Sequence, residues 1–596
     1  MDLFMARHSS SAVDGFPAAT PHGVRGGQAN REVLMRIPAG RLCMLAVAAI
    51  LAAAPAARAA EASEGMPLGP QYRLYDADVS ELGIWDALTV EAWVRIDPVC
   101  PAGAVILDKL GPATGQGLRL ETAANGKLRL ITSAPSVVET NEGALATGRW
   151  THIVAAFDPR QKIATLFIDG KPAASLSMDP AAKITLIGSQ TPVRLGANQR
   201  GDHRFTGAIS SLSLFDRALT ADEVAALDTG KGPAPAARWR LAPDAPRRIE
   251  ATSGRGALIA VPDLEGATTA PAGPLVLWYD HPAREWLESL AFGNGRLGGT
   301  LFGGVERERI ELNEDTIWTG APYDPANPDA PDAIRKAREL LFAGKQKEAE
   351  TLIESSAMGL PKTMAVYQTL GNLVLEFPES AEPVTHYRRS LDLDTAVATT
   401  TFSRAGVTYT REVFASAPDQ VVVVRLTADK PASLTFAAHL ATPFKDAKVA
   451  VTDGLLSLSG QGGSFNGKPG AIRFASLAQA KTQGGTVAPA GDTLRIENAD
   501  AVTFLSSCGT NYVNYHDLSA EASARAHHDL EAAAAKPYAE LRSRHIADYQ
   551  RLFHRVTLDV GTGPGGELPT DQRIRQFDGR DTSLAALYFQ FGRYLL

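Results

Sequence analysis

Cysteine is nearly absent, with three in 596 residues. Cys43 falls within a leader described below, so Cys100 and Cys508 remain. Two isolated cysteines cannot build a disulfide scaffold or a four-ligand zinc site, and both read as small buried side chains. The motifs His-Glu-x-x-His and Gly-x-Ser-x-Gly and the EF-hand loop are missing, which removes the commonest metal and nucleophile signatures. His527 and His528 are neighbours in a helical stretch, point in different directions and cannot chelate one ion together. No basic domain or stripe stands out against a net charge of −7, which argues against nucleic acid as a partner. No apolar run reaches the roughly 18 residues of a membrane span.

What is present begins with that leader. Met35 to Arg41 is basic, Leu42 to Ala54 apolar, and Ala57-Arg58-Ala59 a small-residue cleavage pattern. Together they predict a secretory signal over 35–60, behind an upstream extension over 1–34 that is disordered or not translated, and a secreted or periplasmic location. Cys43 stands ahead of the apolar run rather than at its end, which argues against lipid attachment there.

Residues 61–230 show short strands separated by turn signals. Over Leu88 to Ile96 the residues Leu88, Val90, Ala92, Val94 and Ile96 share one face, and Thr89, Glu91, Trp93 and Arg95 the other. Asp169-Gly170 is a hairpin turn. Such a pattern predicts a β-sandwich. Trp93, on the polar face, is a candidate for stacking on a sugar ring; covering the sheet is the competing reading. Over 231–274 the composition shifts to Pro, Ala and Arg, as in a semi-rigid connection, although Trp239 and Ala257 to Val261 point to a strand inside it.

The stretch Leu277 to Gly320 carries the most information. Gly293-Asn294-Gly295 reads as a tight reversal, followed by strands Gly299 to Phe302 and Glu308 to Leu312. Gly293, Gly295 and Gly298 satisfy G-x-G-x-x-G, but a strand follows where a dinucleotide site requires a helix, so that match is read as chance. Asn313-Glu314-Asp315-Thr316 reads as a polar loop closed by Ile317 and Trp318. Asn313, Glu314, Asp315 and Trp318 are therefore candidates for sugar contact. Adjacent side chains such as Glu314 and Asp315 diverge and would not flank one bond from opposite faces, so a hydrogen-bonded loop fixing the strand end is the alternative. Helices are expected from Ala333 to Ala343 and on through about Ser355, then strands to Ser506. Helical spacing takes over from about Ser519, with Pro537 as a break. His545 and Asp548 lie on neighbouring turns of one helix and are read as a surface or core-edge pair. A last helix starts at Asp581 or Thr582, and its stripe of Leu584, Leu587, Tyr588, Phe591 and Leu595 has no obvious partner to bury against.

The chain carries two family resemblances. Trp278-Tyr279, Gly293-Asn294-Gly295-Arg296-Leu297-Gly298, Phe302-Gly303-Gly304, Leu312-Asn313-Glu314-Asp315-Thr316-Ile317-Trp318-Thr319-Gly320, Tyr367-Gln368, Tyr387-Arg388-Arg389 and Arg411-Glu412-Val413-Phe414-Ala415-Ser416 make residues 275–518 resemble the N-terminal domain of the family 95 glycoside hydrolases, inverting α-L-fucosidases. Leu88-Thr89-Val90-Glu91-Ala92-Trp93-Val94, Trp150-Thr151-His152-Ile153-Val154 and Phe167-Ile168-Asp169-Gly170 make residues 61–230 resemble laminin-G-like or concanavalin-A-like jelly rolls. The expected architecture is mainly β and multidomain: a jelly-roll β-sandwich, the connection 231–274, a β-supersandwich, a helical linker over 519–580 and, at 581–596, the first helix of an α/α barrel that is cut short. The resemblance implies a secreted carbohydrate-active protein, the N-terminal part of an enzyme that removes terminal fucose from an oligosaccharide or polysaccharide by acid/base hydrolysis without cofactor or metal. The family's catalytic carboxylates lie in the barrel beyond residue 596, so no catalytic residue is assigned and the chain alone is expected to be inactive. A non-catalytic glycan-binding or scaffolding role and an α-L-galactosidase parent activity are the alternatives.

Overall fold

Asp169 and Gly170 both hold positive φ, 49° and 75°, and turn Ile163–Ile168 directly into Lys171–Ser177. Local rules of this kind account for most strands of the computed structural model, which describes residues 65–77, 87–111, 115, 117–132, 136–178, 191–228, 231–254, 256–444, 446–452 and 454–596. The expected signal over 35–60 and the extension before it lie outside the described residues.

Two sheets make the jelly roll. Leu88–Ile96 sits centrally in one, between Trp150–Asp158 and Gly207–Phe215, and the inward residues predicted for it are all buried. The second sheet runs through Tyr75–Ala77, Val193–Leu195, Val105–Asp108 and Leu118–Ala123. The segment expected as a connection is part of this body. Ala237–Arg240 pairs with Gly207–Phe215, Arg248–Glu250 and Ala257–Ala260 extend the second sheet, and Trp239 is fully buried between the layers. Proline here ends strands rather than loosening the chain, because Pro243 and Pro246 bracket the short crossing from one sheet to the other.

The second sandwich packs a sheet containing Val384–Asp392, Val397–Arg404, Val407–Ser416, Val421–Ala428 and Ala501–Thr510 against one containing Leu297–Leu301, Arg307–Glu314, Gly371–Glu376 and Leu434–Ala441. Residues quoted for the family resemblance hold its turns. Gly303 and Gly304 donate backbone N–H groups to Glu308 Oε1 at 2.8 and 3.3 Å, and Tyr387 donates its hydroxyl to Gly303 O at 2.6 Å. Arg411 reaches Glu308 Oε2 at 2.8 Å and Val305 O at 2.9 Å.

The helices Ala522–Ala534 and Tyr538–Phe553 follow on either side of Pro537. His545 is buried, stacked on Phe414 at 4.6 Å, with Nε2 3.3 Å from Ala396 O, so it is a packed core residue. The C-terminal helix Thr582–Tyr594, expected to lack a partner, has one. Asp581 caps it by accepting from Leu584 N at 3.1 Å, Leu587 enters the main core, and Tyr594 donates to Ala291 O at 2.8 Å. Residues 323–365 form a compact unit of their own, in which Ala330–Phe342 and Gln346–Ser356 make a helical hairpin through Gly344, at φ 74°.

Candidate functional site

The strand Arg307–Glu314 runs two residues further than the sequence suggests, because Asn313 and Glu314 pair with Gly298 and Leu297 across the hairpin. A second hairpin, of Leu290–Gly293 with Leu297–Leu301, reverses over Asn294 to Leu297. Asn294 N donates to Leu297 O at 2.9 Å around Gly295 and Arg296, and Asn294 Oδ1 accepts from Arg296 N at 3.0 Å and Leu297 N at 2.7 Å, so the tight reversal is capped by the Asn294 side chain.

Glu314 is 2% exposed. Its Oε2 accepts from Thr316 N at 2.8 Å and Thr316 Oγ1 at 2.7 Å, and Arg296 Nη1 stands 3.8 Å from Oε1. Burial pushes its carboxyl above the usual range and the Asp315 charge adds to this, opposing the Thr316 bonds and the Arg296 guanidinium. Glu314 thus holds the loop and offers nothing outward. Asp315, its neighbour, is exposed.

Trp318 projects at 39% exposure, pinned by a bond from its Nε1 to Asp315 O at 2.9 Å. Against it, edge to face at 5.5 Å, stands Tyr367, whose hydroxyl donates to Glu314 O at 3.1 Å and reaches Asn313 Oδ1 at 3.3 Å. Burial raises the Tyr367 phenol, with the Glu314 and Asp315 charges adding, so it stays a donor. A third segment closes the group: Gly463 N donates to Gln368 Oε1 at 2.8 Å, and Gly320 N to Gly463 O at 2.8 Å.

The structure therefore brings Asn313, Asp315 and Trp318 together on one surface and turns Glu314 inward. Tyr367 and Gln368 belong to the surface too, and the sequence reading did not assign them a contact role. An exposed aromatic rim beside an amide and a carboxylate suits a pyranose, which presents C–H faces to rings and hydroxyls to polar groups. It does not suit hydrolysis with inversion, which needs a proton donor and a base about 6.5–9.5 Å apart on opposite faces of the bond.

Trp93 lies in the other sandwich, with one ring face stacked on His152 at 5.1 Å and 19°. His152 Nε2 is 3.2 Å from Glu91 Oε1, and Arg238 Nη2 is 3.2 Å from Glu91 Oε2, so Trp93 covers a buried charge cluster. Burial alone would raise the Glu91 carboxyl; the His152 bond and the nearby positive charges outweigh it and hold Glu91 at about 2. Among the described residues, no group of three or more His, Cys, Asp or Glu could hold a metal ion.

The chain thus consists of two β-sandwich bodies, one of them continued by helices and carrying an aromatic and amide rim. Family comparisons define the modules. Residues 75–225 match the concanavalin A-like lectin/glucanases superfamily, residues 277–515 the glycosyl hydrolase family 65 N-terminal domain, and residues 537–596 the glycosyl hydrolase family 95 catalytic domain. The last match opens ahead of residue 581 and takes in the helix Tyr538–Phe553. Alpha-L-fucosidase 2 of Arabidopsis thaliana is 34% identical over 356 residues, which are 54% of this chain and 42% of that protein. Probable alpha-fucosidase A of Aspergillus niger is 28% identical, over 54% of this chain and 42% of its own. The chain thus spans less than half the length of the curated relatives it matches. A putative kojibiose phosphorylase from the human microbiome superposes with a TM-score of 0.32 at 11% identity, covering 51% of this chain and 41% of that one.

Proposed function

We propose that this chain forms the leading modules of an α-L-fucosidase-type glycoside hydrolase acting on fucosylated glycans outside the cytoplasm, and that the Asn313, Asp315, Trp318 and Tyr367 surface contacts the sugar. The observation that carries the reading is the pairing of a family 95 catalytic-domain match at 537–596 with the similarity to Alpha-L-fucosidase 2. With Glu314 sealed in its own loop, the rim supplies contact and orientation, while acid/base catalysis falls to other residues.

The test is saturation-transfer NMR of the chain with a fucosylated oligosaccharide, run beside an aryl α-L-fucoside assay. Fucose signals are expected to saturate in the wild type and to fade in Trp318→Ala, with hydrolysis at background in both. Unchanged saturation in Trp318→Ala and Asn313→Ala would remove the rim from the site. Turnover by this chain would show that a catalytic pair lies within it. Export is tested by sequencing the N-terminus of the protein recovered outside the cytoplasm, with the first residue expected near position 60.

A non-catalytic glycan-binding role is the second reading, supported by the sealing of Glu314 in its own loop, which leaves Asp315 as the outward carboxyl of that acidic pair. Fucoside binding without hydrolysis by every longer form of the protein would make it the leading reading.

A further inference from the structure

A cleft of about 220 Å³ opens at one end of the second sandwich, between its two layers. It is smaller than the roughly 300–1,000 Å³ of drug-sized sites, which limits an occupant to a single ring. Phe402 and Leu426 line it from one layer and Leu434 from the other, with Val305 and Phe377 beside them, so most of the wall is apolar. The strand Arg307–Glu314 starts next to this cleft and ends at the Trp318 rim. At roughly 3.3 Å per residue, that strand keeps the two places on the order of 25 Å apart.

Two arginines line the cleft, and one of them lacks a carboxylate of its own. Arg411 is matched by Glu308 at 2.8 Å. Arg404 shares: its Nη2 and Arg247 Nη2 each stand 3.2 Å from the same oxygen, Glu306 Oε1. Two guanidinium groups therefore divide one buried carboxylate, which leaves a surplus positive charge. Arg404 Nε is buried without a partner, Nη1 has none among the described residues, and the accessible 10% of the side chain lines the cleft. Burial holds the Arg404 guanidinium below its usual value, and repulsion from Arg247 adds to this against the attraction of Glu306. Tyr409 stands beside it, stacked on Phe402 at 5.2 Å, and its hydroxyl has no hydrogen-bond partner among the described residues. Burial raises the Tyr409 phenol, so it stays a donor. Glu379, also in the wall, is exposed, and the charges acting on Tyr409 are those of Arg404 and of Asp429, which lies outside the wall and accepts from Thr408 N at 2.9 Å.

We propose that this cleft binds a small aromatic carboxylic acid in its ionised form, with the carboxylate between the Arg404 guanidinium and the Tyr409 hydroxyl and the ring among Phe377, Phe402 and Leu434. The carboxylate supplies the negative charge that Arg247 and Arg404 lack between them, at a place where burial makes an unmatched charge costly, and it accepts from both donors. The apolar wall favours a flat ring over a bare ion. A pyranose would bring several hydroxyls to a wall with few groups to receive them, which costs binding. The site is separate from the Trp318 rim and does not depend on the hydrolase reading.

The test is calorimetric titration of the whole chain near neutral pH with benzoate, with benzamide as the uncharged probe of the same shape and acetate as the acid without a ring. Benzoate is expected to bind at least about tenfold more tightly than either. Arg404→Met leaves Glu306 and Arg247 as a matched pair, so it should fold, keep its chemical unfolding midpoint and bind benzoate about tenfold or more weakly. Tyr409→Phe keeps the ring and should weaken benzoate several-fold, which provides a second reading if Arg404→Met does not fold. Equal affinity for benzoate and benzamide, undiminished binding by either variant, or no binding of benzoate at millimolar concentration overturns the proposal. Acetate that binds as tightly as benzoate reduces the cleft to an anion site and overturns the aromatic acid. None of these results bears on fucose contact at Trp318, so the two readings fail separately.

Discussion

Replacing Arg411 by Met should destabilise the second sandwich in a way that depends on pH. Arg411 and Glu308 are 3% and 0% exposed, joined at 2.8 Å, and Glu308 also receives the Gly303 and Gly304 amides. The variant leaves a buried carboxylate without its counter-charge, which costs about 3–5 kcal/mol. The Val305 carbonyl also loses its donor, for about 1 kcal/mol more. Burial already raises the Glu308 carboxyl; without the opposing guanidinium it rises further and takes up a proton on folding. A folded pKa above the unfolded value, about 4.3, means that the stabilising proton is in place below that value and is lost as pH rises through the folded pKa, at about 1.4 kcal/mol for each pH unit separating the two. The deficit of Arg411→Met is therefore smallest near pH 4 and grows toward neutrality. Adding Glu308→Gln should recover at least half of it at pH 7, since an amide oxygen still accepts from Gly303 without a charge. Urea unfolding from pH 4 to 8 gives the answer. A loss under about 1 kcal/mol, or a deficit that is flat with pH, would refute the reasoning.

Trp239→Ala should cost about 3–5 kcal/mol, read by chemical unfolding together with hydrogen exchange over 65–260, because the ring is fully buried. Glu91 is held at about 2 in the fold, so its contribution is complete above about 4.3 and fades as pH falls toward 2; Glu91→Gln should flatten the acid limb of the stability curve. Tyr367→Phe removes the hydroxyl that reaches Asn313 and Glu314, and should weaken fucoside binding several-fold while costing the fold about 1 kcal/mol, measured by titration and unfolding.

What could be read from the chain depended on how far apart the interacting residues lie. The alternation over Leu88 to Ile96 and the Asp169-Gly170 turn were legible because both are local. The docking of Thr582–Tyr594 was not, since Tyr594 bonds to Ala291, 303 positions earlier. Asn313 and Glu314 carry loop-like side chains, and only their pairing with Gly298 and Leu297 makes them strand. Tyr367 joins the rim from 53 positions beyond Glu314, a distance no periodicity spans. The proline content of 231–274 pointed to a connection; the buried Trp239 within it was the better guide.

The strands at Ala237–Arg240 and Ala257–Ala260 bear on how the protein can be cut. A protease that meets Arg240, Arg247 or Arg248 finds backbone held in or between sheets, so these sites should resist digestion until the jelly roll unfolds. A fragment ending at residue 230 would lose the strand carrying Trp239 and expose the flank of Gly207–Phe215 as an unpaired edge, prone to self-association. Any exchange of the first module between related proteins therefore has to cross the chain beyond Ala260, where the last strand of that body has been laid down.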